Sequence, residues 1–215
     1  MRGLLTMTAG ACVMAVVASG PAAAQSPIHA TQLAVCLVRS EKLPINARAS
    51  GVVLVELNTI WAMHGVGIRW AEDSEDGCVR LITVKAEEEA LAEDAASESA
   101  LGWVPFVEGR ARQLVFLRVG RARQLVEALS PGTRPAALTE FLIAKLIGRS
   151  LAHELGHVLL NSRSHEESGL MRARYRARDV LSVPTSAHTL NALERATITA
   201  QSRGHVPVWP LPARP

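Results

Sequence analysis

The chain has 215 residues and a formal net charge of +3, from 23 basic and 20 acidic side chains. This near-balance of charge and an aromatic content of 4% argue against a nucleic-acid partner, which needs a basic surface with stacking residues. The length is sufficient for one domain with a hydrophobic core of its own.

The N-terminus has the three parts of a secretory signal peptide. Arg2 provides the positive start, residues 4–18 form an apolar run, and Ala22-Ala23-Ala24 provides small residues for cleavage. A lipoprotein signal at Cys12 is the alternative, although that cysteine lies in the middle of the apolar run. Cleavage near Ala24 predicts a secreted or periplasmic protein, because no other stretch is long and apolar enough to stay in a membrane.

After cleavage the chain keeps two cysteines, Cys36 and Cys78. In an oxidising exported compartment an even pair of cysteines favours a disulfide bond. The alternative is a free thiolate that acts as an inhibitory switch from within a pro-segment, but the sequence around neither cysteine resembles a pro-segment. We therefore expect a Cys36–Cys78 disulfide.

Strand and helix patterns fill residues 25–205, which we interpret as a single domain. Short apolar runs predict strands at residues 33–38, 66–70, 78–84, 102–107 and 113–119. Helical periodicity predicts helices at residues 47–64, 120–126, 136–160 and 188–203. Residues 206–215 carry four prolines and are predicted to form a surface tail.

One heptapeptide, Gly-Arg-Ala-Arg-Gln-Leu-Val, occurs twice, at residues 109–115 and 120–126. The first copy continues into Phe116-Leu117 and is predicted to be strand, whereas the second continues into Glu127-Ala128 and is predicted to be helix. Two copies of so short a segment do not indicate a repeat fold.

The charged residues are segregated along the chain. Residues 110–123 and 172–178 are basic, whereas residues 87–98 are acidic. We interpret these segments as solvated faces, and a patch that steers substrate is the alternative.

The predicted helix at residues 136–160 carries His-Glu-x-x-His. Residues four apart lie on one face of a helix, so the imidazoles of His153 and His157 can reach a single zinc ion. Glu154 lies beside them, where its carboxylate can take a proton from a water that the metal activates. The alternative is an ordinary helix with two solvated histidines and a surface glutamate.

A tetrahedral zinc site needs a further ligand from outside this helical face. Asn161 is predicted to end the helix in the left-handed conformation, and His165 follows it. Glu166 and Glu167 are alternative ligands, and His165 is preferred because zinc binds imidazole well.

This stretch resembles the zincin metallopeptidases, in particular the metzincin pattern His-Glu-x-x-His-x-x-Gly-x-x-His with its later Met-turn. The glycine of that pattern falls on Leu160 and its third histidine on Arg163, neither of which can take the role. The stretch is also similar to predicted secreted bacterial metalloproteases that contain His-Glu-x-Gly-His-x-Leu-Leu-Gly-x-x-x-His-x-x-x-Gly-Ile-Met. In that alignment Asn161 takes the glycine position, and His165 and Met171 match.

The resemblance implies a zincin-like α/β (α+β) domain, with a mixed sheet packed on two helices and a small irregular C-terminal part. The His-Glu-x-x-His motif then lies on the long active-site helix. The implied activity is hydrolysis of peptide or protein substrates, with zinc as cofactor and Glu154 as general base. Residues 113–119 are expected at the sheet edge, where extended substrate would bind by strand addition.

Two residues after the motif are further candidates for the site. Met171 is expected under the metal as a Met-turn, and an ordinary core methionine is the alternative; in both cases it is a packing residue. Tyr175 is the only tyrosine in the chain and could donate a hydrogen bond to a developing oxyanion, with a structural role as the alternative.

Two other functions remain open at this stage. One is a secreted, non-catalytic binding protein with a structural zinc, which a fourth protein ligand such as Glu166 would indicate. The other is a zinc hydrolase of a non-peptide amide, because the same zinc chemistry serves both kinds of bond.

Overall fold

The computed structural model describes residues 33–40, 44–71, 77–87, 100–129, 134–173, 184 and 187–204. These residues form a mixed α/β fold with a five-stranded mixed sheet, a two-stranded hairpin and four helices. The predicted α/β class with a mixed sheet is therefore confirmed. The predicted signal peptide, the proline-rich tail at residues 206–215 and Tyr175 lie outside the described residues.

The main sheet has the strand order β2-β1-β3-β7-β4. The seven strands are β1 (Leu33–Arg39), β2 (Val66–Trp70), β3 (Arg80–Glu87), β4 (Gly102–Trp103), β5 (Phe106–Val107), β6 (Arg110–Ala111) and β7 (Leu114–Arg118). Strands β2, β1, β3 and β7 run parallel, and β4 is antiparallel to β7. The parallel strands are rich in buried Val, Ile and Leu, as expected for strands inside a layered fold.

The edge of the sheet next to β7 is formed by β4. Gly102 pairs with Leu117 and Trp103 pairs with Phe116. The rings of Trp103 and Phe116 stack with their centres 4.0 Å apart, and such cross-strand aromatic pairs stabilise antiparallel strands. Strand β7 therefore has a neighbour on each side, and the prediction that residues 113–119 form the sheet edge is wrong.

The four helices agree closely with the sequence patterns. They are α1 (Ala47–Ala62), α2 (Val119–Ala128), α3 (Ala136–Leu160) and α4 (Ala192–Ser202). The Asn46 side chain caps α1 by accepting a hydrogen bond from the N–H of Ala49 at 2.8 Å, and Asn191 and Glu194 form a capping box on α4. Helix α3 ends at Asn161, whose φ of 50° and ψ of 43° are left-handed as predicted.

Helices α1 and α3 pack against each other through buried polar contacts. Glu56 of α1 accepts a hydrogen bond from Nε of Arg149 at 2.7 Å, and both side chains are buried. The indole N–H of Trp61 donates to the carbonyl oxygen of Ala152 at 3.2 Å. These contacts hold the end of α3 against α1, directly before the first histidine of the motif.

The predicted disulfide joins Cys36 of β1 to Cys78, which precedes β3, across a sequence separation of 42.

The repeated heptapeptide takes two structures, also as predicted. Residues 109–115 contribute to β6 and β7, whereas residues 120–126 lie inside α2. Among the described residues, no helix combines the length and the apolar character needed to cross a membrane.

Candidate metal centre

The two histidines of the motif project from α3 side by side into a cleft. His153 and His157 are each 7% exposed. Their Nε2 atoms are 3.1 Å apart, and their ring centres are 4.7 Å apart. Two nitrogen ligands of a tetrahedral zinc ion lie roughly 3.3 Å apart, given zinc–nitrogen bonds of about 2.0–2.1 Å. The pair therefore fits one metal ion.

Backbone carbonyls orient both imidazoles. Nδ1 of His153 lies 2.8 Å from the carbonyl oxygen of Leu170, and Nδ1 of His157 lies 2.6 Å from that of Ser162. Because a carbonyl oxygen can only accept, each Nδ1 carries the proton and donates it. The lone pair of each imidazole is then on Nε2, which faces the other ring and is ready to bind a metal.

His165 brings a third imidazole to the same place. The metal-binding atoms of His153, His157 and His165 all lie within 4.8 Å of one another, so this group could hold a metal ion. The His165 ring centre is 5.2 Å from that of His153 and 4.9 Å from that of His157. His165 is exposed, in contrast to the other two.

The neighbouring carboxylates lie elsewhere. Oε1 of Glu166 accepts a hydrogen bond from Nδ2 of Asn191 at 3.1 Å, so this side chain contacts the N-cap of α4. Glu167 is exposed and is not part of the histidine group. Among the described residues, the metal-binding group therefore contains three imidazoles and no carboxylate.

The loop from Asn161 to Met171 is closed on itself and packed under α3. The N–H of Glu166 donates to the carbonyl oxygen of Met171 at 2.8 Å. The Met171 side chain is buried against Gly156, where a Cβ atom would collide with the methionine sulfur. Gly156, which directly precedes His157 on the helix, thus permits the close approach of the loop.

Glu154 is 6% exposed and lines the cleft next to the histidines. The edge strand lies directly against it: a Cβ atom on Gly102 would be 2.9 Å from Cγ of Glu154 and 2.9 Å from the carbonyl oxygen of Phe116. Only glycine permits this approach. Burial raises the pKa of Glu154 to about 8, because it penalises the charged carboxylate.

Burial has the opposite effect on the imidazoles. It lowers the pKa of His153 to about 4, although the hydrogen bond to Leu170 partly opposes the shift. Burial also lowers the pKa of His157 and of His165. All three rings are therefore neutral near pH 7, which is the form that binds metal ions.

The cleft above the histidines has a volume of about 760 Å³. Residues from β4, from the segment after it, from α3 and from the loop after α3 line it. They include Gly102, Trp103, Phe106, Arg149, Ser150, Arg163 and Arg172. The histidine group thus lies at an open cleft that can admit an extended ligand.

Sequence patterns predict that the three histidines and Glu154 lie together, but they do not predict the groups that orient and contact these side chains. The carbonyl oxygens of Ser162 and Leu170 belong to the backbone, and every residue type has one. Residue identity therefore gives no sign of their orienting role. Gly102 lies far from the motif in sequence, and its role follows from strand pairing alone.

Comparison of the chain with protein-family models, with curated proteins and with solved structures finds no match.

Proposed function

We propose that this protein is an exported zinc-dependent peptidase. One observation carries the proposal: three neutral imidazoles converge in an open cleft, with the buried carboxylate of Glu154 beside them. Three nitrogen ligands with an open side are typical of catalytic zinc sites, whereas structural zinc sites have four protein ligands. The zincin-like assignment rests on the resemblance of residues 153–171 and on this donor set.

His153, His157 and His165 would hold the ion through imidazole nitrogens, a ligand type that zinc prefers. A zinc ion bound there supplies a Lewis acid that lowers the pKa of a coordinated water to about 7. A nearby dication also favours the ionised form of Glu154 and opposes the effect of burial on its pKa.

Glu154 would act first as general base and then as general acid. Its carboxylate takes a proton from the attacking water and then donates it to the nitrogen of the leaving amine. The low exposure of Glu154 keeps bulk water from competing for that proton. The edge strand β4 lines the cleft, so we infer that an extended substrate lies along Gly102 and Trp103 by strand addition.

Export is part of the proposal. The N-terminal residues have the pattern of a signal peptide, and the Cys36–Cys78 disulfide suits an oxidising compartment. The proposed place of action is therefore the periplasm or the outside of the cell.

Metal content and hydrolysis measured on one preparation test the proposal. Elemental analysis should find close to one zinc per chain, and a mixture of unstructured proteins should be cleaved. A chelator should abolish cleavage, and added zinc should restore it. Bound zinc with hydrolysis of non-peptide amides alone would favour the amide-hydrolase alternative, and bound zinc without any hydrolysis would favour a structural zinc.

A further inference from the structure

Arg163 lies in the loop between α3 and His165 and lines the cleft. Its guanidinium lies over the ring of Phe106, with Cζ 4.7 Å from the ring centre. One of its terminal nitrogens donates to the carbonyl oxygen of Phe106 at 3.5 Å. Both contacts are to the β5–β6 hairpin, so they orient the exposed side chain at the cleft.

Arginine side chains outnumber carboxylates among the described residues that line the cleft. The described residues that line it include Arg149, Arg163 and Arg172 but a single carboxylate, that of Glu154. Arg149 is buried in the ion pair with Glu56 of α1. Within the described part of the chain, no salt bridge joins Arg163 to a carboxylate. Arg163 thus presents an exposed, oriented positive charge beside the histidine group.

We propose that Arg163 binds a carboxylate of the substrate close to the scissile bond. The proposal rests on the proposed peptidase function and adds to it a substrate class, peptides that carry a carboxylate near the cleaved bond. A guanidinium is planar and can donate two parallel hydrogen bonds to a carboxylate. Stacking on Phe106 restricts the side chain before the substrate arrives, so less conformational entropy is lost on binding.

Two kinds of peptide carboxylate have this chemistry, an Asp or Glu side chain and the C-terminal carboxylate. A peptide library prepared with free and with amidated C-termini separates them. Mass spectrometry of the cleavage products gives the residues on each side of every cleaved bond. Wild-type protein should cleave several-fold more often where a carboxylate lies within about three residues of the bond, and the amidated library shows whether acidic side chains suffice.

Three variants identify the residue responsible. Arg163→Gln should remove the preference, and for one acidic peptide from the library it should raise KM roughly tenfold with kcat near wild type. Arg163→Lys keeps the positive charge but lacks the planar guanidinium that donates two parallel hydrogen bonds, so it should retain part of the preference. Arg121→Gln is the matched control: Arg121 lies on α2, does not line the cleft, and should leave the preference unchanged.

The outcomes separate this inference from the proposed function. Cleavage without a carboxylate preference, or a preference that survives in Arg163→Gln, would overturn the inference and leave the peptidase intact. Loss of zinc in Arg163→Gln would assign the residue a structural role instead and would also overturn it. A zinc-loaded wild type that cleaves no peptide in either library would contradict the peptidase function and the inference together.

Discussion

The end of helix α3 and the loop after it both contribute to the histidine group, but in different ways. The helix supplies two buried imidazoles, each 7% exposed, and the loop supplies one exposed imidazole. The loop also supplies the carbonyl oxygens of Ser162 and Leu170, which orient the helical pair. The helix therefore provides two of the three candidate ligands, and the loop provides the carbonyl groups that orient them.

The two regions are also supported differently. Buried contacts to α1 hold the helix, including the Arg149–Glu56 ion pair. The loop depends on Met171 packed against Gly156 and on its contacts with the α4 region, such as the hydrogen bond between Glu166 and Asn191. We infer that the helical pair is preorganised, whereas the position of His165 depends on how well the loop is packed.

The largest expected effect is on zinc affinity, and it differs between the two regions. His153→Ala and His157→Ala should each abolish stoichiometric zinc binding, because each leaves one helical imidazole and the exposed His165, whose position depends on the loop. His165→Ala should weaken binding by more than the 10–100-fold typical of a lost orienting partner, yet keep a measurable site. Competition with a chromogenic chelator gives the three affinities. Equal zinc affinity in His165→Ala and wild type would exclude His165 as a ligand. A loss of zinc affinity in Glu166→Ala would then identify the Glu166 carboxylate as the third ligand.

The second effect is a pH dependence of the metal-free protein. Glu154 has a pKa of about 8 when folded and an ordinary value of 4.5, so between these values the folded state holds a proton that the unfolded chain has released. The stability contributed by this proton is fully present below about pH 4.5 and is lost progressively as the pH rises from there to about 8. Between pH 6 and pH 8 the free energy of unfolding of wild type should fall relative to Glu154→Gln by about 2–3 kcal/mol.

Urea unfolding of both proteins with chelator present measures this difference. The histidines, whose pKa values are lowered by burial, act in the opposite direction, because their neutral forms are favoured in the folded state as the pH rises. Their contribution is shared by the two proteins and cancels in the comparison. Parallel pH profiles for wild type and Glu154→Gln would show that Glu154 is not buried in a protonated form.

The third test breaks the contact between the two regions. Gly156→Ala places a methyl group against the sulfur of Met171 and should cost about 1–3 kcal/mol of stability through overpacking, together with weaker zinc binding. Gly51→Ala is the matched control, because Gly51 is an exposed helical glycine with nothing within 4 Å of an added Cβ. That change should stabilise the protein by roughly 0.5–1 kcal/mol. Similar effects of both changes on unfolding would contradict the close approach of Met171.

The smallest expected effect concerns the residue where the helix becomes the loop. Oδ1 of Asn161 accepts a hydrogen bond from the N–H of Ala111 at 2.8 Å and so ties the β5–β6 hairpin to the end of α3. Asn161→Gly keeps the left-handed backbone and loses this bond, at a cost of about 1 kcal/mol. Asn161→Asp keeps the acceptor and should remain close to wild type. A glycine variant as stable as wild type would mean that the hairpin contact adds nothing.

The sequence predicted the helix better than the loop, for physical reasons. The spacing of His153 and His157 is a property of the helix itself, and Asn161 is a residue type that tolerates the left-handed ending. The neighbours of the repeated heptapeptide predict strand for the first copy and helix for the second, since seven residues do not determine their own structure. In contrast, the pairing of Gly102 with Leu117 depends on which distant segment reaches the sheet edge. No local pattern contains that information, which is why the edge position predicted for residues 113–119 is wrong.

The proposed function requires that the helix and the loop together build a catalytic metal site with Glu154 as its base. The most direct measurement compares zinc content and peptide hydrolysis in wild type and Glu154→Gln, a change that keeps side-chain shape but removes the base. Both proteins should bind close to one zinc per chain, and hydrolysis by the variant should be slower by roughly two orders of magnitude or more. Equal rates in the two zinc-loaded proteins would contradict the role assigned to Glu154.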